Sequence, residues 1–196
     1  MTSNTRVPKA EITGLYGTVL KRMSKKMVGE VPDALGVMWH NRAVLKVSMG
    51  TGHKATKWNK CDKDLKSYAH MAVASLIGCS FCLDLGYFQA HNEGLDEAKA
   101  REVPRWRESD LFTPLERDVM EYAEAMSQTP PTVTDELSAR LLEQLGAPGL
   151  VELTAFAAMA NQMARTNVAL GIKAQGFSAA CGLPPLAQRN TVASQA

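Results

Sequence analysis

The sequence predicts a single all-α domain. Apolar residues recur every three or four positions along most of the chain, alanine and methionine are frequent, and aromatic residues make up only 6%. No stretch alternates apolar and polar residues over the length of a strand. A chain of 196 residues is long enough for one large core and cramped for two. We predict one helical domain over residues 1–182 and a flexible C-terminal tail over residues 183–196.

The N-terminal third predicts two helices and a loop. Lysine and arginine occupy the other faces of a first, amphipathic helix, whose apolar positions are Leu15, Val19, Leu20, Met23 and Met27. Gly29 and Pro32 end this helix, and we expect its apolar face to dock on the body of the protein. A second helix is predicted from residue 33 to about 50, followed by an exposed polar loop over residues 51–62.

The middle of the chain carries clear helix boundaries. We predict helices over residues 64–77 and 79–93, and a short helix over 95–102 that Pro104 stops. The run Thr113-Pro114-Leu115-Glu116 combines an N-cap, a proline at the first helical position and the glutamate of a capping box. It therefore predicts the start of the next helix.

Two helices complete the predicted domain. Gly146 closes the first, and Pro148 opens a long alanine-rich helix that runs to about residue 175. Asn161 and Arg165 interrupt its apolar character. Buried polar groups need partners, so another subunit or a polar or anionic ligand is expected to satisfy them, and we favour a structural role.

Charge is divided unevenly along the chain. Residues 1–66 carry 13 Lys and Arg against 5 Asp and Glu, whereas residues 67–196 carry 9 against 15. We interpret the basic region as a solvated face or as a contact between subunits, because no nucleic-acid recognition motif accompanies it. The start of the chain has no apolar run typical of a signal peptide, and polar residues interrupt the apolar stretch 150–176. The sequence thus predicts a cytoplasmic protein with neither a nucleic-acid nor a membrane partner.

The chemistry centres on Cys79-Ser80-Phe81-Cys82. Two cysteines three positions apart on a helix face the same way, and a position near a helix N-terminus lowers a thiol pKa. A thiolate can attack a peroxide or a disulfide, and its neighbour can resolve the intermediate. Asp84, just after the pair, would raise a thiol pKa. We predict Cys79 and Cys82 as the catalytic residues.

The spacing of the cysteines and histidines also bears on other roles for the cysteines. A zinc site needs two more ligands, and neither the four histidines nor Cys61 and Cys181 form a second paired motif. The sequence therefore indicates no metal and no cofactor, and Cys61 and Cys181 are expected to be structural. An inert pair of buried cysteines, packed as small apolar residues, stays open as an alternative.

The segment over residues 72–86, followed by Ala90 and Gly94, carries a family resemblance. It resembles the alkylhydroperoxidase D-like, or carboxymuconolactone decarboxylase-like, superfamily, and the resemblance covers roughly residues 30–177. It implies an alkylhydroperoxidase D-like helical bundle that assembles into trimers or hexamers. It also implies that Cys82 attacks the hydroperoxide, that Cys79 resolves it, and that a dithiol donor such as a lipoyl protein supplies electrons.

Two positions depart from the peroxidase pattern of this superfamily. The pattern has a glutamate twelve residues before the first cysteine and a histidine four after the second, and here these are Ser67 and Gly86. Without that proton relay we expect a slow enzyme with a thiol pKa near the free value of about 8.5. A Ser67→Glu, Gly86→His graft is expected to raise its rate. His70 and His91, each nine residues from the pair, are expected to face away from it.

The predicted function is that of a thiol-dependent peroxidase or disulfide-exchange protein that reduces a peroxide or another small-molecule substrate. Two alternatives stay open. One is a non-catalytic helical protein that senses redox state or serves as a scaffold. The other is a decarboxylase or lactone-processing enzyme of the same superfamily that does not use the thiols.

Overall fold

A computed structural model describes residues 5–189, and within them the chain is helical and contains no strand. The predicted all-α class is therefore confirmed. The helices are α1 Gly14–Val28, α2 Asp33–Met38, α3 Arg42–Ala55, α4 Lys63–Ile77, α5 Ser80–Asn92, α6 Glu97–Glu102, the 3-10 helix Val103–Glu108, α7 Pro114–Ser127, α8 Asp135–Leu170 and α9 Phe177–Ala180. Within the described part of the chain, no helix is long and apolar enough to cross a membrane.

Helix α4 is the centre of the bundle and packs against α5, α7 and α8. Its inner faces carry small or flexible side chains that are completely buried, namely Ala69, Met71, Ala72, Val73 and Ala74. Small side chains allow neighbouring helices to approach closely, as the dense packing of protein interiors requires. The C-terminal end of α4 leads directly to the paired cysteines, so the best-packed helix of the protein positions them.

Most helix boundaries follow the predicted local signals. The hydroxyl of Thr113 accepts the N–H of Glu116, and the Glu116 carboxylate accepts the N–H of Thr113, which confirms the capping box. Gly146 has φ 68° and ψ 167° and interrupts α8 just before Pro148. The predicted separation into a short and a long helix is therefore present as a break within α8.

The predicted helix over residues 33–50 and the loop after it are only partly correct. The helix is interrupted between α2 and α3, where the Asn41 side chain caps α3 by accepting the N–H of Val44. Trp39 lies at the break and is buried with Ile12 and Leu20, among others. The chain turns here because Trp39 is buried, and the periodicity of apolar residues alone does not predict this turn. Helix α3 then continues through Ala55, into the segment predicted as a loop.

The C-terminal part of the domain also differs from the prediction. Helix α8 ends at Leu170 rather than near residue 175, because Gly171 adopts a left-handed conformation with φ 72°. Beyond α9, Leu183 packs into the core and the N–H of Ala187 donates to the carbonyl of Arg101. Residues 183–189 thus contact the body of the domain, and the remainder of the predicted tail, 190–196, lies outside the described residues.

Helix α1 does not bury the apolar face that its sequence suggested. Leu15 is 84% exposed and Met27 is 61% exposed, and Val19 and Met23 are exposed as well. The helix instead docks through a narrower edge at Gly17 and Leu20. A Cβ at position 17 would lie 2.8 Å from Cγ2 of Ile12, so the absence of a side chain permits the contact. Most of the apolar face therefore remains uncovered in the single chain.

A buried ion pair links α4 to α8. The Lys66 ammonium donates to Glu152 at 2.7 Å and to the carbonyl of Trp58 at 2.7 Å, and both charged side chains are buried. The second Glu152 oxygen accepts the N–H of Lys60 at 2.7 Å. Burial works to raise the pKa of Glu152, but the hydrogen bonds from Lys66 and from the backbone hold it below its usual value.

We expect Lys66→Met to destabilise the fold by about 3–5 kcal/mol, because it leaves the Glu152 carboxylate buried without its partner. The double variant Lys66→Met, Glu152→Leu removes both charges and should recover most of that loss. Chemical denaturation measures both values. Arg140→Met, which removes an exposed partner of Asp118, is the control and should have little effect. Equal stability of Lys66→Met and the wild type would contradict this account.

Candidate active site

A break between α4 and α5 places the first cysteine. Gly78 ends α4 in a left-handed conformation, with φ 77° and ψ 27°, and Cys79 leaves the helix to become the N-cap of α5. Its sulfur accepts the N–H of Cys82 at 3.3 Å. The thiol thus occupies the place that a serine, threonine or aspartate usually takes at a helix N-terminus.

The structure brings Cys79 and Cys82 together as two free thiols. They are only 1% and 2% exposed, respectively. The side-chain amide of Asn167, in α8, donates to the sulfur of Cys82 at 3.2 Å. Asn167 is itself buried and was not predicted as a site residue, although an amide inside an apolar helix was a usable signal. The pair is therefore held by the α5 N-terminus on one side and by α8 on the other.

Hydrogen bonding separates the acidities of the two thiols. The bond donated by the Cys82 thiol lowers the pKa of Cys79 to about 7 against the opposing effect of burial, and the backbone N–H of Cys82 and the Asn167 amide contribute to the lowering. Donating that bond, together with burial, raises the pKa of Cys82. The expectation of a free-thiol value near 8.5 is therefore wrong for Cys79. The geometry favours a thiolate on Cys79 and a proton on Cys82.

A segment after α8 crosses the start of α5; we refer to residues 171–178 as the covering segment. The N–H of Ala174 donates to the Ser80 hydroxyl at 3.1 Å. The Asp84 carboxylate accepts the N–H groups of Gly176, Phe177 and Ser178 at 2.8, 3.0 and 3.0 Å, and the Ser178 hydroxyl at 2.7 Å. Charge-assisted bonds of this kind are strong, so Asp84 anchors the covering segment to α5.

Aromatic contacts complete the cover. The ring of Phe177 packs edge-on against Phe81, with centroids 6.0 Å apart, and lies tilted on Phe88 at 6.5 Å. Phe81 belongs to the same apolar cluster as both cysteines. The covering segment therefore packs an apolar layer against the start of α5.

The two positions of the missing relay have taken other roles. The Ser67 hydroxyl donates to the carbonyl of Lys63 at 3.0 Å. A Cβ at Gly86 would lie 3.3 Å from Cγ of Met71, and 3.8 and 3.9 Å from Cε1 and Nδ1 of His70. A histidine grafted at position 86 would have to displace both side chains. The expectation that the graft raises the rate is therefore not supported, since the space it requires is filled.

The two histidines near the pair have different environments. His91 is exposed, and its Nδ1 lies 3.7 Å from the Glu97 carboxylate. The His70 ring instead lies against α5 at Gly86, and the expectation that it faces away from the cysteine pair stays a prediction. Its Nε2 is buried and has no hydrogen-bond partner among the described residues. Burial lowers the pKa of His70 to about 4, which keeps the ring neutral at pH 7.

The remaining candidates lie apart from the thiol pair. Arg165 donates to Asn161 at 2.7 Å and to the carbonyl of Ser127 at 2.7 Å, so contacts within the chain satisfy this polar pair. Burial is the main cause that raises the pKa of Cys61 to about 11, and Cys181 is exposed. Within residues 5–189, no three His, Cys, Asp or Glu side chains come together where they could hold a metal ion.

Solved structures with a similar fold include peroxidase-related proteins and a debrominase. A peroxidase-related protein from Silicibacter sp. TM1040 superposes with a TM-score of 0.75 at 14% identity, covering 87% of this chain and 92% of its own. The alkylhydroperoxidase AhpD core protein from Ralstonia eutropha JMP134 gives 0.71 at 17% identity, covering 90% and 96%. A cysteine-to-alanine variant of the debrominase Bmp8 in complex with 2,3,4-tribromopyrrole gives 0.73 at 19%, covering 83% and 87%. At these identities the likeness shows the fold.

Sequence comparisons identify the family. The chain is 38% identical over 138 residues to the uncharacterized protein YnjA of Escherichia coli K12, covering 70% of this chain and 74% of YnjA. It is 27% identical over 122 residues to the uncharacterized protein YdfG of Bacillus subtilis 168, covering 62% and 83%. The model of the carboxymuconolactone decarboxylase family matches residues 42–125. The chain therefore belongs to the carboxymuconolactone decarboxylase family.

Proposed function

We propose that this protein is a thiol oxidoreductase that reduces a hydroperoxide with the Cys79–Cys82 pair. The observation that carries the proposal is the position of the Cys79 sulfur at the N-cap of α5, beside a second thiol, where it accepts the N–H of Cys82 at 3.3 Å. Burial is the main cause that raises the pKa of Cys61 to about 11, whereas hydrogen bonds lower that of Cys79 to about 7. A buried cysteine that serves only for packing should have a raised pKa, as Cys61 does. A thiolate at neutral pH beside a second thiol supports redox chemistry instead.

In the proposed reaction, the two thiols of the pair together supply the two electrons that reduce the hydroperoxide. The Cys79 thiolate attacks one oxygen of the hydroperoxide, forming a sulfur–oxygen bond and breaking the oxygen–oxygen bond, and the departing alkoxide takes a proton to leave as an alcohol. The sulfur of Cys82 then attacks the Cys79 sulfenic acid, displacing water and forming the disulfide. The two thiols are oxidised and the peroxide is reduced. A dithiol donor, such as a lipoyl protein, restores the thiols by disulfide exchange.

This order of attack reverses the one that the family resemblance implies. Support for Cys79 as the attacking sulfur comes from its place at the α5 N-cap, where it accepts the N–H of Cys82. Unpaired N–H groups at a helix N-terminus stabilise an anion. The Cys82 thiol donates a hydrogen bond to Cys79 and has a raised pKa. Cys82 therefore suits the resolving role.

Access to the sulfurs requires movement, because both are almost fully buried. The covering segment is the element that closes the start of α5, and its bonds to Asp84 and Ser80 hold it there. We therefore expect the substrate to enter after local release of this segment. Local opening of few contacts is commonplace in proteins and less costly than global unfolding.

The chemical step is testable with single-cysteine variants in a Cys181→Ser background, which removes the exposed thiol. Because the Cys79 pKa is about 7, its alkylation by iodoacetamide should rise with pH through a midpoint near 7. Cys82→Ser retains a hydroxyl that can donate to Cys79 and should keep this midpoint. Cys82→Ala removes the donor and should move the midpoint upward. Mass spectrometry of the labelled peptides measures each rate.

Added hydroperoxide should convert the wild type to the disulfide and leave a dimedone-reactive sulfenic acid on Cys79 in Cys82→Ser. If sulfenic acid forms only on Cys82, in the Cys79→Ser variant, then Cys82 is the attacking sulfur, as the family resemblance implies. Thiols that survive hydroperoxide in the wild type would overturn the peroxidase proposal. If a brominated pyrrole, instead of the hydroperoxide, oxidises the two thiols to the disulfide, reductive dehalogenation becomes the better-supported function.

The covering segment can be loosened at its anchor. Asp84→Asn exchanges a carboxylate that accepts four hydrogen bonds for an amide with one acceptor oxygen and an NH₂ group. Each bond to a charged group is worth about 1.5–3 kcal/mol, so alkylation of Cys79 should become at least tenfold faster. Asp118→Asn, in an ion pair far along the chain, is the matched control. Unchanged thiol accessibility in Asp84→Asn would contradict the proposed role of the segment.

We also propose that the protein self-associates, as a trimer or hexamer, in a reducing cytoplasm. The exposed apolar face of α1 lies in the basic part of the chain, while residues 67–196 carry an excess of acidic residues. A second copy therefore supplies a surface of complementary charge, and closed symmetric association is the usual outcome.

The double variant Leu15→Gln, Met27→Gln should reduce this association, because it removes apolar area from the contact. Val151→Gln changes an exposed apolar residue of α8 and should leave the assembly intact. Light scattering at micromolar concentrations measures the mass of each variant. A wild type that is only monomeric under these conditions would disprove self-association.

A further inference from the structure

The resolving step requires negative charge on the sulfur of Cys82. The hydrogen bond that the Cys82 thiol donates to Cys79, its burial and the charge on Cys79 all raise its pKa. Oxidation converts the Cys79 thiolate into a sulfenic acid and so removes the charge that held the Cys82 proton. Burial of the Cys82 sulfur then remains as the obstacle to its ionisation.

The side-chain amide of Asn167 is the group that favours this charge. Its nitrogen donates to Sγ of Cys82 at 3.2 Å, and both residues are buried. Among the described residues, this hydrogen bond is the one influence that lowers the pKa of Cys82. A hydrogen bond to a charged acceptor is stronger than one to a neutral acceptor, and a buried site strengthens it further. The amide therefore stabilises the Cys82 thiolate more than the thiol.

The end of α8 holds this amide in position. The backbone carbonyl of Asn167 accepts the N–H of Ile172 at 2.9 Å, where the chain leaves the helix. The Arg6 guanidinium donates to the next two carbonyls, those of Val168 and Ala169, at 2.7 and 2.8 Å. A donor that already points to the atom where charge develops stabilises that charge without reorganisation. Asn167 is such a donor for the Cys82 sulfur.

Other polar side chains around the pair are engaged elsewhere. The Asp84 carboxylate accepts its hydrogen bonds from the covering segment, and Tyr122, in the apolar cluster of the pair, shares its hydroxyl with Thr154 at 2.9 Å. Within the described part of the chain, no charged group other than Cys79 shifts the pKa of Cys82. A carboxamide neither gains nor loses a proton near neutral pH, so the amide stabilises charge and carries no proton.

We propose that Asn167 is a catalytic residue of the resolving step, in which its amide stabilises the negative charge on the attacking sulfur of Cys82. That sulfur forms a bond to the sulfur of Cys79 while the sulfur–oxygen bond of the sulfenic acid breaks. The Cys82 proton joins the departing hydroxide, which leaves as water, so the disulfide forms without a further reactant. This role rests on the proposed peroxidase function and specifies how its second step proceeds.

The first test separates the two steps in single turnover at about pH 9, above the Cys79 pKa of about 7, where the first step is close to its maximum. Asn167→Leu removes the donor at similar size. Its conversion of sulfenic acid to disulfide should slow by about tenfold or more, as the loss of a hydrogen bond to a charged group predicts, and dimedone should trap the accumulated sulfenic acid. Asn161→Leu removes an amide of α8 that is bonded to Arg165 and should behave as the wild type.

A second variant distinguishes charge stabilisation from packing. Asn167→Asp keeps the shape of the side chain, and its carboxyl group can donate a hydrogen bond only while it is protonated. The rate of disulfide formation per sulfenic acid should therefore fall as pH rises through the carboxyl pKa. In the wild type this rate should rise with pH as Cys82 ionises. The same rising profile in Asn167→Asp would contradict a role for the amide donor.

The outcomes distinguish the two proposals. A wild type that forms neither sulfenic acid nor disulfide with hydroperoxide would refute the peroxidase function itself. A wild type that forms both, with a folded Asn167→Leu variant that resolves equally fast, would refute the role of Asn167 alone. If the Asn167 variants do not fold, NMR of Cys79→Ser decides. The side-chain amide resonances of Asn167 should move as Cys82 ionises, and constant resonances would overturn the role.

Discussion

The site depends on one backbone feature, the left-handed conformation of Gly78 between α4 and α5. In a continuous helix the N–H of Cys82 would bond to the carbonyl of residue 78, four positions earlier. The break frees this N–H, and the Cys79 sulfur accepts it instead. The same break leaves Cys82 in the first turn of α5, within reach of Asn167. The unequal acidities of the two thiols therefore follow from the end of one helix and the start of another.

The turn at Gly78 also brings the flanks of α4 and α5 together. Because α5 folds back along α4, a Cβ added at Gly86 would lie within van der Waals distance of Met71 and His70. In a closely packed interior, a missing side chain on one helix leaves room that its neighbour fills. Here the residue that fills the room carries an imidazole. The chain thus lacks a histidine on α5 but has one beside α5, presented from α4.

The sequence was sufficient where the decisive signal is local. The capping box at Thr113, the break at Gly146 and the cysteine pair are each encoded by residues within a few positions of one another. It was insufficient where tertiary contacts decide. The hydrogen bond from Asn167 to Cys82 joins residues 85 positions apart, and periodicity indicates which face of a helix is buried without indicating which helix covers it. The contact between His70 and Gly86 escaped prediction for that reason.

Asp84 illustrates how orientation can cancel the expected effect of a nearby charge. Two positions after Cys82, a carboxylate was expected to raise a thiol pKa, yet it is not among the causes of the shift at either cysteine. Two residues correspond to about 200° around a helix, so Asp84 lies on the opposite side of α5. There its two oxygens accept four hydrogen bonds from the covering segment. Within one helical turn, the Cys82 thiol therefore faces the core and the Asp84 carboxylate faces the covering segment. Asp84 can thus hold the covering segment in place without raising the pKa of either thiol.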